Sequence, residues 1–412
     1  MRRFGIIALA LLIGSVAGLA AQKITWMSTQ FVPIAEAEFV RNEILAPFAE
    51  ATGIEVEFIG AEYAEFVSRV EAEYEAGKGE IAVLCGLHGD FVSVLDALAD
   101  LSEVSPGGTI SDTLMKLGQM GGKQAYIPLM QATYLMVVNK KALEYLPEGA
   151  DIWALTYDEL LQWAKNIYEA TGMQKLGIPA GPKSLLHRFI HGYLYPSFTG
   201  YQVLAFDSGA AVKMWKYMQE LWQYVNPAAP TWDAMDTPLL SEEVWIAWDH
   251  TARVKQALIE RPDDFIAIPS PAGPAGRGFI TVLAGLAIPK TSPNPDAAAE
   301  LIEYLTTPEV QVKILQGVGF FPVVAEAAGA VPSGALQILA KGVSAQAASP
   351  DAIVSFIPGG ISDEYKKIYK DTFFKFVIKG EPVDVEFLRS QATRLRELYL
   401  EAGAPYPAPD GG

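Results

Sequence analysis

The sequence predicts an α/β protein that is divided into two lobes. The chain has 412 residues, of which 50% are hydrophobic and 19% charged, so it is globular and too long for a single compact core. Apolar runs typical of strands alternate with helical patterns from residue 23 onwards, as in parallel α/β domains. In the stretch 121–140, two glycines allow a turn and a long apolar run follows an interruption at Pro128. A strand, a break and a new strand indicate a backbone that leaves one lobe and enters the other.

The net charge and the cysteine content of the chain argue against several classes of function. The formal net charge of −17 argues against nucleic acid and anionic membrane surfaces as partners. The single cysteine, Cys85, excludes an internal disulfide, and its apolar neighbours 81–84 predict a buried, inert thiol. His88 and Asp90 follow closely, but one cysteine and four histidines in the whole chain disfavour a thiol enzyme or a metal site. We therefore predict no catalytic residue, no metal and no cofactor.

Residues 1–21 have the composition of a secretory signal peptide. Two arginines precede an apolar run, and small residues follow it up to Ala20 and Ala21, after either of which cleavage is expected. An uncleaved membrane anchor is the alternative, but the last third of the run is mostly Gly, Ser and Ala, which favours cleavage. No cysteine stands at the exit, so no lipid anchor is expected. The mature protein should be periplasmic or extracellular.

The first lobe begins with alternating strands and helices. Strands are predicted over 23–26, 54–58 and 81–84, with helices over 39–48 and 63–76 between them. Trp26 ends the first strand and is predicted to be exposed, and a loop over 85–90 follows the third. Pro128 should interrupt the next strand, because proline lacks the N–H that a central strand needs. The apolar run 132–138 then continues beyond a first crossing at 129–133.

The second lobe follows this crossing. A capping box at Thr156 and Glu159 starts a helix, another helix begins near residue 208, and a buried strand is predicted over 244–247 with Trp245 facing the core. A loop with Trp248 comes next. The Pro- and Gly-rich segment 271–276 suits a second crossing, and the strand 279–288 returns to the first lobe. Two helices lead to a third crossing at 319–323, after which the chain should be helical, with a frayed tail over 405–412.

Several segments in chain order resemble one family. They are Gly122-Lys123-Gln124-Ala125-Tyr126-Ile127-Pro128, Val138-Asn139-Lys140, Thr156-Tyr157-Asp158-Glu159 and Gly319-Phe320-Phe321-Pro322-Val323. Together they resemble the large extracellular solute-binding proteins that feed sugar ABC transporters, the maltose-binding-protein-like group. The sequence departs from that pattern at Val138, where the family has tyrosine, and after Trp248, where the family's glycine is missing.

The resemblance implies a type II periplasmic-binding-protein fold, in which each lobe is a mixed sheet flanked by helices and three hinge crossings join the lobes. The N-terminal lobe would comprise 22–130 and 271–321, and the C-terminal lobe 131–270 and 322–412. The implied protein is a monomer and not an enzyme. It is the soluble substrate-binding component of an ABC importer, which closes on a small solute and delivers it to the membrane permease.

A mono- or oligosaccharide is the expected ligand, because sugar sites pair aromatic rings with hydrogen-bonding side chains. A buried partner left without its hydroxyl would cost about 1–3 kcal/mol, which gives selectivity. The expected aromatic contacts are Trp26, Trp232, Trp248 and Tyr365, and the expected polar contacts are Gln30, His88, Asp90, Asp249 and His250. An isolated tryptophan is as readily explained as a core residue.

Two kinds of alternative remain open. The solute could be a polyamine, an amino acid derivative or a glycerol phosphate. A phosphate would call for clustered basic residues, for which Lys183, Arg188, Arg253 and Arg277 are the candidates. A secreted hydrolase is the alternative from another class, but the sequence contains neither Gly-x-Ser-x-Gly nor His-Glu-x-x-His.

Overall fold

The computed structural model describes residues 22–358 and 360–402. The predicted signal peptide and the predicted C-terminal tail at 405–412 lie outside the described residues. In the described part of the chain, no helix combines the length and the apolar character needed to cross a membrane.

The strands have the following bounds: β1 Gln22–Ser28, β2 Ile54–Gly60, β3 Ile81–Leu87, β4 Gln119–Met120, β5 Lys123–Gln124, β6 Ile127–Asn139, β7 Leu176–Gly177, β8 Ile246–His250, β9 Phe265–Ile268, β10 Arg277–Ala287, β11 Phe321–Pro322 and β12 Ala352–Ser355.

The helices have the following bounds: α1 Ile34–Phe39, α2 Ala46–Thr52, α3 Tyr63–Glu75, α4 His88–Ser93, α5 Asp112–Leu117, α6 Tyr157–Thr171, α7 Leu186–Phe189, α8 Tyr195–Thr199, α9 Gly209–Leu221, α10 Asp236–Leu240, α11 Lys255–Glu260, α12 Pro295–Leu305, α13 Pro308–Val318, α14 Ala335–Ala347, α15 Glu364–Phe373 and α16 Val385–Glu401. Turns of π-helix extend three of them, at Val40–Leu45, Ile190–Leu194 and Phe374–Ile378.

One mixed sheet runs through both lobes in the order β2-β1-β3-β10-β6-β8-β7. β1 is parallel to β2 and β3, and β10 is antiparallel to both β3 and β6. The two long strands are shared: the first half of β6 pairs with β10, and the second half pairs with β8 and β9. β6 and β10 are therefore crossings between the lobes. The short strand β11 pairs with β6 beside them, at the predicted third crossing.

Three hydrophobic clusters form the cores. The first belongs to the N-terminal lobe and draws on residues 24–130 and 283–327. The second and third lie on opposite faces of the sheet in the C-terminal lobe. Along β6, Tyr134, Met136 and Val138 enter the second cluster, whereas Leu135 and Val137 enter the third. Burial on both faces explains why this part of the strand is an uninterrupted apolar run.

The strand β6 is not interrupted at Pro128, contrary to the sequence prediction. Pro128 lies opposite Gly285, and the pairing register shifts between Ala284 and Gly285. This irregularity lets the strand pass a residue that cannot donate a backbone hydrogen bond. Gly285 has no side chain at the position where the ring of Tyr126 lies, 2.1 Å from an ideal Cβ.

Other predicted elements also differ from the structure. β3 continues to Leu87 and α4 follows directly, where a loop over 85–90 was expected. β12 lies in the region predicted to be helical and pairs in parallel with β10 through residues 352–355. Trp26 lies inside β1 and is only 1% exposed, because its ring packs edge-on against Phe58 and Phe31.

The strand predicted over 244–247 begins two residues later, at Ile246, and ends three residues later, at His250. β8 therefore contains Trp248 and Asp249. Trp245 precedes the strand and is half-buried, stacked on Tyr145 and beneath the ammonium group of Lys175. Trp245 packs against the edge of the second core, as predicted in part, whereas Trp248 is the fully buried tryptophan of the strand.

Candidate functional site

A cavity of about 220 Å³ lies between the lobes. The N-terminal lobe contributes the junction of β3 and α4, the crossing strand β10 forms one wall, and the C-terminal lobe contributes α7 and the segment after β12. The lining residues are Leu87, His88, Gly89, Asp90, Arg188, Ile280, Thr281, Val282, Leu283, Ser355, Phe356, Ile357 and Pro358. Both lobes and one crossing strand thus meet around the same space.

Asp90 lines the cavity, and hydrogen bonds hold its carboxyl group in place. Its Oδ2 accepts hydrogen bonds from the backbone N–H of Leu87, at 2.8 Å, and from the hydroxyl of Thr29, at 2.7 Å. The side chain of Gln30 in turn donates to the Thr29 hydroxyl at 3.2 Å. The other oxygen, Oδ1, has no hydrogen-bond partner within residues 22–358 and 360–402, so it is free to accept one from a ligand. Burial raises the pKa of Asp90 above its usual value.

His88 joins the two lobes across the cavity. Its ring stacks on the ring of Phe356, with centroids 3.8 Å apart and planes 19° apart. Its Nδ1 lies 2.9 Å from the hydroxyl of Tyr126. Burial lowers the pKa of His88 to about 4, so the imidazole is neutral at pH 7. The backbone oxygen of Phe356 accepts a hydrogen bond from Gln202, which fixes this segment to the C-terminal lobe.

Thr281 supplies a hydroxyl without a partner. It lies on β10, is 2% exposed and lines the cavity. Its Oγ1 is buried and makes no hydrogen bond to any described residue. A buried hydroxyl in this state costs about 1–3 kcal/mol unless a ligand or water satisfies it. The crossing strand therefore offers a polar group to whatever fills the cavity.

Arg188 is the cation of the cavity. It lies on the short helix α7 and is half-buried. Its backbone N–H donates to the oxygen of Leu185. Its guanidinium group, by contrast, has no ion pair and no hydrogen-bond partner among the described residues. An unpaired guanidinium group beside a cavity is available to a ligand.

Tyr365 and His250 lie in the aromatic surroundings of Arg188, outside the set that lines the cavity. The ring of Tyr365 is buried with its edge against His187 and His191. Burial raises the pKa of Tyr365, and the charge of Arg188 acts in the opposite direction. The ring of His250 packs edge-on against Tyr134, and burial lowers the pKa of His250 to about 4.

Asp249 is fully buried and supports the backbone at the end of β8. Its Oδ1 accepts from the N–H of His250 at 2.7 Å, and its Oδ2 accepts from the N–H of Met235 at 3.1 Å. Burial raises the pKa of Asp249 to about 8. Both oxygens of Asp249 are thus engaged within the protein, whereas Oδ1 of Asp90 has no partner among the described residues.

The three predicted tryptophans are not among the described residues that line the cavity. Trp26 lies in the first core. Trp248 lies in the second, stacked on Tyr134 at 5.0 Å with planes 6° apart. Trp232 is half-buried and packs against the second and third cores.

Sequence reasoning missed Thr281 and Phe356, and it considered Arg188 only as a candidate for phosphate binding. Phe356 directly follows β12 and precedes Pro358, so an aromatic residue at the carboxyl end of a short strand was the available signal. Nothing in the sequence distinguishes Thr281 from other strand threonines. Among the described residues, no group of three His, Cys, Asp or Glu side chains could hold a metal ion.

The fold is similar to that of several solved binding proteins. The sugar-binding protein MalE from Xanthomonas citri is 18% identical over 92% of this chain and 98% of that chain, with a TM-score of 0.68. The cyclic α-maltosyl-1,6-maltose binding protein from Arthrobacter globiformis is 17% identical over 91% and 98%, with a TM-score of 0.64. The bacterial solute receptor AcbH, described as exclusively preferring β-D-galactopyranose, is 15% identical over 92% and 98%, with a TM-score of 0.73. These similarities confirm the predicted two-lobed type II fold.

The sequence itself matches one family model. No curated protein matches this chain, but the model for bacterial extracellular solute-binding proteins matches residues 43–337, which is most of the chain. The chain belongs to the family of bacterial extracellular solute-binding proteins.

Proposed function

We propose that this protein binds a small sugar in the cavity between its lobes and delivers it to the membrane permease of an ABC importer. The observation that carries the proposal is the cavity itself, to which both lobes and a crossing strand contribute. The family supports solute binding outside the cytoplasm. The ligands named for the structural relatives, maltose-type sugars and galactopyranose, support the choice of a sugar.

The residues that line the cavity suit both the hydroxyl groups and the apolar C–H face of a sugar. The free oxygen of Asp90 and the hydroxyl of Thr281 would hydrogen-bond sugar hydroxyls. The edges of the stacked rings of His88 and Phe356, which line the cavity, would contact the apolar C–H groups of the sugar. The volume of about 220 Å³ is below the roughly 300–1,000 Å³ of sites for drug-sized ligands. We therefore favour a monosaccharide over an oligosaccharide.

Of the nine residues predicted from the sequence, we keep His88 and Asp90 as ligand contacts. Gln30 is retained as a positioning residue, because it acts on Asp90 through Thr29. Tyr365 and His250 are proposed as positioning residues near the charge of Arg188, not as ligand contacts. We leave Trp26, Trp232, Trp248 and Asp249 out of the proposed site, since their rings or oxygens are engaged within the protein.

The lobe boundaries are proposed from the division of the cores. Met130 belongs to the first core and Tyr134 to the second, so the first crossing lies between them. On β10, Ile280 belongs to the second core and Leu283 to the first. We therefore place the second crossing at 281–282, about ten residues later than the sequence suggested. The third crossing is proposed at β11.

The remaining alternatives are weaker. A polyamine would bring positive charge to the unpaired guanidinium group of Arg188, which is unfavourable. The family consists of binding proteins, and we propose that this member is a monomer without hydrolase activity. We also propose that it is secreted through a signal peptide and carries no lipid anchor. Cleavage of any offered glycan by the purified protein would contradict the non-enzymatic part of this proposal.

The test is to identify and then titrate the ligand. Small molecules released by denaturing the purified protein would be identified by mass spectrometry, and binding would be measured by calorimetry. Asp90→Asn should weaken binding by about 1–3 kcal/mol, because one of its acceptor oxygens becomes a donor. Asp112→Asn is the matched control, since Asp112 is exposed at the start of α5. No binding by a panel of mono- and disaccharides, together with release of a non-sugar compound, would reject the proposal.

A further inference from the structure

Three cations of the C-terminal lobe, of which Arg188 lines the cavity, form no ion pair with a carboxylate of the described residues. Arg188 has no side-chain partner within the described residues. Arg253 donates to the backbone oxygens of Asp233, at 2.7 Å, and Lys183, at 3.3 Å. Lys370 donates to the backbone oxygen of Pro182 at 3.1 Å. The chain has 48 acidic and 31 basic side chains excluding histidine, so carboxylates are available in excess, yet none forms an ion pair with these three in the described part of the molecule.

The loops after two neighbouring strands bring these cations together. Pro182 and Lys183 follow β7, and Arg253 follows β8. β7 and β8 are parallel, so their carboxyl ends lie at the same edge of the sheet. The backbone hydrogen bonds of Arg253 and Lys370 to residues 182–183 tie this edge to α15. The result is a positively charged region on the C-terminal lobe.

Neighbouring acids offset the positive charge of this region mainly at Lys370. Burial lowers the pKa of His187 to about 2, and the charges of Arg188, Lys370, Lys366 and Arg253 act in the same direction. Lys366 is paired with Asp363. Of the nearby acids, Asp233 acts on Lys370. Burial raises the pKa of Asp249 to about 8, and both of its oxygens already accept backbone N–H groups. Arg188 is the member of the group that reaches the cavity.

The guanidinium group of Arg188 indicates an anionic ligand group, and the hydroxyl of Thr281 is compatible with one. The guanidinium group offers paired donors in a plane, which match a carboxylate or a phosphate better than a single hydroxyl. The buried hydroxyl of Thr281 lines the same cavity without a partner among the described residues and can donate to an anionic oxygen.

We propose that the sugar bound in this cavity is acidic, an inference that rests on the proposed function. The carboxylate or phosphate group of the sugar pairs with Arg188, and its hydroxyl groups face Asp90. A neutral sugar would offer the paired donors of Arg188 only uncharged acceptors, and charge-assisted hydrogen bonds to a carboxylate or phosphate are roughly twice as strong. Arg188, on the C-terminal lobe, would then select sugars that carry a negative charge. Asp90, on the N-terminal lobe, would select among them by the positions of their hydroxyl groups.

The experiment compares matched acidic and neutral sugars. The probes are D-glucuronate against D-glucose, D-galacturonate against D-galactose, and glucose 6-phosphate as the phosphate source. Ligand-induced thermal stabilisation and calorimetric Kd values would be measured for the wild type, Arg188→Gln, Arg188→Lys and Arg389→Gln. Arg389 is the control, since it is exposed on α16 and its side chain has no partner in the described chain.

The wild type should bind at least one acidic probe about tenfold or more tightly than its neutral counterpart. Arg188→Gln should abolish this preference, Arg188→Lys should retain part of it, and Arg389→Gln should leave it unchanged. The melting temperature of ligand-free Arg188→Gln should stay within about 2 °C of the wild type, because no protein partner is lost. Preference for uronates over the phosphate, or the reverse, identifies which anionic group is used.

Two outcomes would overturn the inference. If neutral sugars bind as tightly as the acidic probes, the ligand is a neutral sugar and the proposed function still stands. If an acidic probe binds but Arg188→Gln retains its affinity, the anion is held elsewhere. Stabilisation by none of these probes would count against both the acidic ligand and the proposed sugar function.

Discussion

Asp90 and Asp249 are both buried carboxyl groups, but their surroundings give them different tasks. Asp249 accepts one backbone N–H on each oxygen and holds the end of β8 to the chain at Met235. Asp90 accepts both of its hydrogen bonds on Oδ2, which leaves Oδ1 beside the cavity. The sequence predicted both as ligand contacts, because a carboxylate near the end of a strand has the same pattern in either case.

Asp249 should make the stability of the protein depend on pH. Its pKa in the folded protein is raised to about 8, whereas an unfolded aspartate titrates near 3.9. Between these values the folded state holds a proton that the unfolded state has lost, so this contribution to stability falls as pH rises and levels off above about pH 8. In Asp249→Asn, the free energy of unfolding should fall less steeply with pH than in the wild type, by up to about 1.4 kcal/mol per pH unit.

Denaturant unfolding of ligand-free protein between pH 5 and 8 measures this difference. Asp263→Asn is the control, because Asp263 is exposed on a surface turn. The amide introduced by Asp249→Asn has one acceptor fewer for a backbone N–H, and that cost should be the same at every pH. Identical slopes for Asp249→Asn and the wild type would show that Asp249 is not protonated in the folded protein near neutral pH.

Trp248 should contribute to stability rather than to ligand affinity. Its ring is fully buried between Tyr134, Phe189 and Tyr193. Trp248→Ala should therefore cost about 3–5 kcal/mol of folding free energy. Trp245→Ala, three residues earlier and half-buried, should cost clearly less. Unfolding without ligand and titration with it separate the two effects, and lost affinity with unchanged ligand-free stability would return Trp248 to the site.

At the scale of elements, two buried glutamines hold the crossing strands. Gln311 on α13 donates to the backbone oxygen of Leu129, at 2.6 Å, and accepts from the N–H of Val323, at 2.9 Å. Gln346 on α14 donates to the backbone oxygen of Tyr134, at 3.0 Å, and accepts from the N–H of Ser270, at 2.9 Å. The two amides lie on either side of the first crossing. Gln311 therefore ties β6 to the segment after β11, and Gln346 ties β6 to the segment after β9.

Gln346→Leu should destabilise the protein by about 2–4 kcal/mol. The N–H of Ser270 would lose its partner in a buried position, where an unsatisfied donor costs about 1–3 kcal/mol, and two further hydrogen bonds would be lost. Gln337→Leu on the exposed side of the same helix should change stability by less than about 0.5 kcal/mol. Equal denaturation midpoints for Gln346→Leu and Gln337→Leu would mean that water takes over the hydrogen bonds of the Gln346 amide.

The sequence predicted the type and order of most elements more reliably than their ends. Capping boxes, Gly turns and apolar periodicity are local signals, and the helix that begins at Tyr157 was placed on such a signal. The bounds of β8 and the continuity of β6 depend on the partner strand. Pro128 is tolerated because of a register shift in β10, more than 150 residues later. A pattern read along one strand contains no information about that shift.

At the scale of the whole molecule, the site was harder to predict than the fold. Its lining comes from residues 87–90, 188, 280–283 and 355–358. These segments meet only after two strands have crossed between the lobes. His88 and Asp90, which line the cavity, directly follow a strand of the first lobe, and that position is why the sequence indicated them. Phe356 follows a strand that was not predicted, and Thr281 lies inside a crossing.

Ligand binding should close the cleft. In the structure the lobes already contact each other through the stacked rings of His88 and Phe356, and β6, β10 and the segment at β11 are the crossings about which they could rotate. A ligand that bridges Asp90 and Arg188 would stabilise the arrangement in which the lobes are close together. The radius of gyration should therefore fall on binding, towards the roughly 22 Å expected for a compact chain of this length.

Small-angle X-ray scattering of the same sample with and without saturating ligand measures this change. Phe356→Ala removes the ring contact between the two lobes at His88, and it should shift the ligand-free protein towards the larger radius of gyration. Phe374→Ala is the matched control, since Phe374 is a partly exposed ring at the end of α15 on the C-terminal lobe. If the scattering profile is unchanged at saturation for both the wild type and Phe356→Ala, the ligand enters a rigid cavity and the two crossing strands do not act as a hinge.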